Sequence, residues 1–127
     1  MNNYFWLFLS LVWLGLIVYI SFFNPLIEDN TESRFKHLDK LGHFILYALL
    51  SLFLSKTFYQ EIIVQNPLFS SAKVSVIFGF IIELGQHFFT YDRYGTFLDV
   101  LANALGILLM VVMIYFYPKL FRFNIKT

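Results

Sequence analysis

The chain is organised around residues 38–47, which read Leu-Asp-Lys-Leu-Gly-His-Phe-Ile-Leu-Tyr. Asp39, His43 and Tyr47 are each four residues apart, so on a helix they form one stripe, with Lys40 beside it. If the helix starts near Asp39, His43 lies about 6 Å deeper and Tyr47 about 12 Å deeper. Ionisable groups are costly in a lipid-facing segment, so the stripe is predicted to face protein or water and to mark a functional site.

The composition indicates a membrane protein. The 127 residues provide enough chain for one domain, taken as residues 1–127. Hydrophobic residues make up 59% of the chain and charged residues only 13%, against about 25% charged residues in a soluble domain. The net charge of +1, without a basic cluster, gives no indication of nucleic-acid binding. The absence of cysteine excludes disulfides and thiolate chemistry.

Four apolar segments predict an all-α protein, a four-helix transmembrane bundle with spans at about 4–23, 39–59, 70–89 and 98–117. Each has roughly the 20 residues that cross a hydrocarbon core of about 30 Å. A cleaved signal peptide is an alternative for the first segment. The segment lacks a basic n-region and an Ala-x-Ala-like cleavage site, and its core exceeds the usual length of about 7–15 residues. A retained span is therefore predicted.

Two further polar stripes lie on the third and fourth spans. Glu83 and Gln86 share one face of the third span, and Asp99 and Asn103 begin the fourth. Because successive spans are antiparallel, the start of span two, the end of span three and the start of span four open on one membrane face. We expect a polar pocket there. Its predicted rim consists of Asp39, Lys40, Arg93 and Asp99, and its floor of Glu83 and Tyr47.

Two kinds of chemistry fit such a pocket. Lys40, His43 and Arg93 near helix N-termini suit an anion such as a lipid phosphate or carboxylate. A histidine among carboxylates suits proton transfer, because histidine titrates near neutrality. The candidate catalytic residues are His43, Asp39, Glu83 and Asp99. The candidate ligand-binding residues are Lys40, Tyr47, Gln86, Arg93 and Asn103.

Three alternatives compete with this interpretation. A Ser-His-Asp triad has little support, since Ser51 lies about two turns below His43. A metal site would draw on His43, His87, Glu83 and Asp99, which show no recognised ligand spacing, so neither a metal nor another cofactor is predicted. In a purely structural interpretation, Asp39 caps its helix and the charged residues only pair with one another and hold the helices together.

The distribution of basic residues predicts the orientation. Four spans place both termini on one side of the membrane. That side carries Lys56, Lys73, Lys119, Arg122 and Lys126, and the opposite side carries Arg34, Lys36, Lys40 and Arg93. The positive-inside rule then favours cytoplasmic termini.

Between Asp39 and Gly106 the chain resembles the VanZ-like family of membrane proteins. The resemblance lies in the segments DKLGHFILY at 39–47, ELGQ at 83–86, Arg93, and DVLANALG at 99–106. It implies a small, multi-spanning bacterial membrane protein, and the founding member of the family is linked to low-level teicoplanin resistance. It does not supply a reaction.

Together, the residues and the resemblance lead to two hypotheses about function. In the leading one, the chain is a multi-pass protein of the bacterial inner membrane that binds or processes an anionic lipid or a lipid-linked cell-wall precursor. Its partners are then membrane lipids and no nucleic acid, and a link to glycopeptide resistance follows from the resemblance. In the alternative, the chain is a non-catalytic membrane scaffold that modulates a partner protein.

Overall fold

The part of the chain that the structure describes folds into four helices. A computed structural model describes residues 3–23, 33–90 and 96–123, and its helices are α1 (Phe5–Phe23), α2 (Ser33–Gln60), α3 (Pro67–Phe89) and α4 (Phe97–Phe116). All four are long and apolar enough to cross a membrane, and α2 contributes its portion Leu38–Gln60. These three segments contain no β-strand. The structure therefore confirms the all-α, four-helix transmembrane bundle.

The helix boundaries differ from the predicted spans mainly at two starting points. Helix α3 begins at Pro67 and not near residue 70, because proline lacks the N–H that a first helical residue leaves unpaired. The apolar span Leu38–Gln60 agrees with the span predicted at about 39–59, but the helix α2 itself begins at Ser33 and not near Asp39. Asp39 lies in the second turn and cannot cap the helix. Hydropathy marks only the apolar part of α2, and no Gly or Pro between Ser33 and Asp39 stops the helix.

Helix α2 is the centre of the bundle. It packs against α1, α3 and α4, and its interface with α4 is the most extensive. Their shared core is formed by Ile17, Tyr47, Leu50, Leu54 and Ile107. Large apolar side chains also cover the outside of the bundle, and Phe8, Phe80 and Leu108 are each more than half exposed. Such an outer surface suits contact with lipid tails.

Helix α1 is attached to α2 and the residue that follows it by hydrogen bonds at several levels, among them a bond between Ser10 and Thr57. Near the end of α2, both carboxylate oxygens of Glu61 accept backbone N–H bonds, from Trp6 and Leu7, each at 2.7 Å. Further along α1, Trp13 Nε1 donates to the carbonyl oxygen of Leu46 at 2.9 Å. Glu61 thereby satisfies free N–H groups in the first turn of α1, as a capping side chain does.

Candidate functional site

Six polar side chains from three helices meet where α2 and α4 enter the bundle. This polar cluster comprises Asp39, Lys40 and His43 of α2, Glu83 of α3, and Asp99 and Asn103 of α4. It contains all four candidate catalytic residues and two of the five candidate ligand-binding residues. The members from α3 and α4 are buried, whereas those from α2 are partly exposed. The cluster is therefore open at its α2 side.

His43 is held by side chains from both neighbouring helices. Asn103 Nδ2 donates to Glu83 Oε1 at 3.3 Å, so Asn103 presents its amide oxygen to His43. That oxygen lies 3.1 Å from His43 Nδ1, and Glu83 Oε1 lies 3.4 Å from the same nitrogen. The amide oxygen of Asn103 can only accept, so Nδ1 must carry the proton. Asn103 and Glu83 thus fix the tautomer and orientation of the ring.

The other ring nitrogen of His43 faces a carboxylate. Nε2 lies 3.9 Å from Asp39 Oδ1, one helical turn earlier on α2. Because Nδ1 already carries a proton, Nε2 of a neutral ring is an acceptor near the Asp39 carboxylate, and two acceptors repel each other. A proton on Nε2 or a bound cation removes this repulsion. His43 is therefore placed to receive and release a proton at Nε2.

Lys40 connects α2 to the first turn of α4. Its Nζ forms an ion pair with Asp99 Oδ1, and it lies 3.7 Å from Asp39 Oδ2 and 3.3 Å from Thr96 Oγ1. Asp99 in turn forms a capping box with Thr96, in which Thr96 Oγ1 accepts from the Asp99 N–H and Asp99 accepts from the Thr96 N–H. The Lys40–Asp99 pair therefore joins two helices through an acid that α4 holds rigidly.

The cluster is acidic in sum. Asp39, Glu83 and Asp99 supply three carboxyl groups, against the single amine of Lys40. The Lys40 side chain is 27% exposed, whereas those of Glu83 and Asp99 are 5% and 6% exposed. The interior thus favours protons or cations, and the basic group lies at the rim.

A trio within the cluster has the composition of a metal site. Asp39, His43 and Asp99 offer ligand atoms that all lie within 4.8 Å of one another. Carboxylate oxygens with one imidazole suit a divalent transition metal. The trio shares His43 and Asp99 with the metal alternative considered from the sequence, but has Asp39 in place of His87 and Glu83. The His87 side chain is exposed and does not belong to the trio.

The remaining candidate ligand-binding residues lie outside the cluster. Tyr47 is 1% exposed, and its ring packs against Gly79. Gln86 is also buried, but its side-chain amide donates to the carbonyl oxygen of Ser21 on α1 at 2.9 Å. Gln86 thus joins α3 to α1. Arg93 lies outside the described residues.

Thr96 is a site residue that was not predicted from the sequence. Its hydroxyl donates to Asp99 Oδ2 at 2.7 Å and accepts from Lys40, so it orients both members of the ion pair. The signal was present, because Thr96-Phe-Leu-Asp99 is a capping pattern directly before an apolar segment.

An apolar cavity adjoins the cluster between α3 and α4. Its volume is about 260 Å³. Nearly all of its lining is apolar, with Val76, Phe80, Val100 and Ile107 among the wall residues. Asn103 also lines it, and this residue bonds both His43 and Glu83. The cavity between α3 and α4 therefore extends to Asn103, the residue that orients the His43 ring.

Comparison with protein-family models, with curated proteins and with solved structures gives no match for this chain.

Proposed function

We propose that the chain is a VanZ-like integral membrane protein of the bacterial cell envelope that binds or processes an anionic lipid or a lipid-linked cell-wall precursor. The proposal rests on one observation, which is that both ring nitrogens of His43 face polar side chains. In a chain with four helices able to span a membrane, Asn103 and Glu83 orient Nδ1 while Nε2 faces Asp39. Such an arrangement suits proton transfer to a bound molecule.

The charge distribution supports binding of an anionic head group at the rim. Three carboxyl groups against one amine would repel an anion inside the cluster. Lys40 is the partly exposed basic member, and in the sequence Arg93 precedes the α4 start that Lys40 contacts. A phosphate bound at the rim would compete with Asp99 for Lys40. The bond of the ligand that reacts would then lie near His43.

The apolar cavity supports a lipid as the bound molecule. The cavity lies between two membrane-spanning helices and reaches Asn103 at the cluster. A membrane supplies acyl or isoprenoid chains to a cavity in this position. A cavity with an apolar lining binds its ligand mainly by apolar contacts. One molecule could thereby contact both the cavity and the rim.

In the proposed reaction each candidate catalytic residue has a distinct task. His43 exchanges a proton at Nε2, and Asp39 stabilises the charged ring. Glu83 orients the ring from the opposite nitrogen. Asp99 holds Lys40 at the rim and does not reach the His43 hydrogen bonds.

A scaffold is the second candidate, favoured by the internal pairing of the cluster. Lys40 pairs with Asp99, Asn103 bonds His43 and Glu83, and Gln86 bonds α1, and each of these interactions joins two helices. Bonds of this kind hold a membrane bundle together without any chemistry. In that function, the apolar outer surface would bind and modulate a partner protein.

The deciding experiment compares variants of His43 in a bacterial strain whose own copy of the gene is deleted. Susceptibility to teicoplanin and the pool of lipid-linked precursors are measured, with membrane abundance determined by immunoblot. For proton transfer, His43→Ala and His43→Gln both lose the phenotype at normal abundance, and the control His87→Gln keeps it because His87 is exposed. Full activity of His43→Gln, or loss that merely follows abundance, favours the scaffold.

A further inference from the structure

The interface between α2 and α3 carries a line of polar residues that extends far below the cluster. On α2 these residues recur at every fourth position, as Asp39, His43, Tyr47, Ser51 and Ser55. On α3 the corresponding positions, read in the opposite direction, are Glu83, Gly79, Ser75 and Ser71. Residues four apart lie on one helix face, so each helix presents one continuous stripe.

Three contacts show that the two stripes face each other in register. His43 Nδ1 lies 3.4 Å from Glu83 Oε1 at one end, and Ser55 Oγ lies 2.7 Å from Ser71 Oγ at the other. Between them, the Tyr47 ring packs so tightly on Gly79 that a Cβ there would lie 2.9 Å from Tyr47 Cε1. In this antiparallel register, Ser51 and Ser75 occupy opposing positions between Tyr47 and the serine pair.

Four polar atoms along this line have no hydrogen-bond partner among the described residues. They are Tyr47 Oη, Ser51 Oγ, Ser75 Oγ and Glu83 Oε2. The four side chains are almost completely buried, with 1%, 0%, 0% and 5% exposure. An unsatisfied buried hydroxyl is costly, and the cost is higher inside a membrane.

Close helix packing alone does not account for these hydroxyls. Small residues do let helices approach each other, but alanine would serve that purpose without leaving a polar atom unpaired. A serine can also bond to a carbonyl in the preceding turn, as Ser71 does with Leu68 at 2.8 Å. Ser51 and Ser75 make no such bond. The hydroxyls therefore require a partner that residues 3–23, 33–90 and 96–123 do not supply.

We propose that the α2–α3 interface is a proton path in which water molecules bridge these hydroxyls and connect the Ser55–Ser71 pair with Glu83 and His43. The line covers about 18 Å, at 1.5 Å per residue, which is more than half of a bilayer core. Ser71 lies about 6 Å from the start of α3, so the path ends one turn from the opposite side of the bundle. The proposed proton path depends on the packing of α2 against α3 and does not depend on the identity of a substrate.

The proposed transfer conserves atoms and charge at each step. A proton added to one hydroxyl or water oxygen forms an O–H bond, and the same oxygen releases its former proton to the next one. At the end of the path the proton reaches Glu83 Oε2, the unpartnered oxygen of the carboxylate whose other oxygen contacts His43 Nδ1. Release of this proton from Glu83 to a water molecule at the open α2 side of the cluster restores the carboxylate. No redox step is involved.

The test uses the full chain, purified and reconstituted into liposomes that contain a pH-sensitive dye. A potassium gradient with valinomycin sets the membrane potential, and the rate of internal pH change is the readout. Wild-type protein should increase this rate about tenfold over protein-free liposomes, and the Ser51→Ala, Ser75→Ala double variant should lose most of the increase. Ser10→Ala is the matched control, because Ser10 is equally buried but bonds Thr57 outside the path.

Two results would overturn the proposal. One is a wild-type rate equal to that of protein-free liposomes, and the other is an unchanged rate in the folded double variant. If the double variant does not fold, Glu83→Gln replaces it, since glutamine keeps the size of the side chain but is not a carboxylate. Flux in Glu83→Gln as high as in wild type would likewise exclude the path.

Discussion

Gly106 of α4 lies directly against the backbone of Phe44 on α2. A Cβ added at Gly106 would overlap the Phe44 carbonyl oxygen and would lie 3.0 Å from its carbonyl carbon. Only glycine permits this approach, because a backbone atom cannot rotate away as a flexible side chain does. Phe44 follows His43, and Gly106 is one turn beyond Asn103. The contact therefore sets the helix separation at which Asn103 reaches His43.

Gly106→Ala should destabilise the protein by about 1–3 kcal/mol or more, since overpacking forces the two backbones apart. The same shift should weaken the His43–Asn103 bond. Thermal unfolding in detergent measures the effect. Gly15→Ala is the control, because a Cβ at Gly15 meets nothing within 4 Å. Equal melting temperatures for the two variants would contradict a close approach at Gly106.

Lys40 and Asp99 should be energetically coupled. Removing one member leaves the other without its ion pair, and Asp99 is almost completely buried. In a double-mutant cycle with Lys40→Gln and Asp99→Asn, we expect a coupling energy of about 0.5–3 kcal/mol in favour of the pair. Asparagine retains capping ability at the start of α4, so the cycle isolates the charge. Strictly additive effects would show that the pair does not stabilise the bundle.

Glu61→Ala should loosen the start of α1. The substitution removes the acceptor for the N–H groups of Trp6 and Leu7, and loss of a capping side chain costs about 0.5–2 kcal/mol. Hydrogen exchange of the two amides should increase, while amides in α4 should be unaffected. Unchanged protection at Trp6 and Leu7 would mean that Glu61 does not cap α1.

Both termini should be cytoplasmic. Five basic residues flank that side of the predicted topology, against four on the other. A phosphatase reporter that is active only outside the cytoplasm should be inactive when it is fused after Thr127, and a fluorescent protein at the same position should be bright. The opposite pair of results would invert the topology and place the polar cluster at the cytoplasmic face.

Replacing a carboxylate of the cluster by the corresponding amide should distinguish a chemical role of the residue from a packing role. Asp39→Asn keeps the shape of the side chain but removes the charge that faces His43 Nε2. Because Asp39 is about one-third exposed, we expect little change in stability, and under the proposed function we expect loss of teicoplanin resistance. Membrane abundance is measured in parallel. Retention of the phenotype would exclude a role for the Asp39 charge in the proposed function.

Much of the fold could be predicted because hydropathy and spacing are local properties. Four apolar segments of sufficient length require four helices, since a lipid-exposed backbone must satisfy its own hydrogen bonds. The start of α2 could not be predicted in the same way. The polar residues before Leu38 continue the helix without contributing to the apolar signal.

The sequence by itself also determined which residues share a face. The four-residue spacing places His43 with Asp39 and Asn103 with Asp99 on any regular helix. It cannot determine which side chain of one helix meets which side chain of another, because that depends on helix rotation and separation. Gln86 was expected in the pocket and instead bonds α1 through Ser21.

Only the tertiary structure decided how the stripes are paired. The close contact at Gly106 brings α4 near enough for Asn103 to bond His43, and the α2–α3 register places Glu83 beside the same ring. Lys40 pairs with Asp99 because the capping box with Thr96 holds that carboxylate at the start of α4. These distances arise from side-chain packing between helices, which local spacing along one chain does not specify.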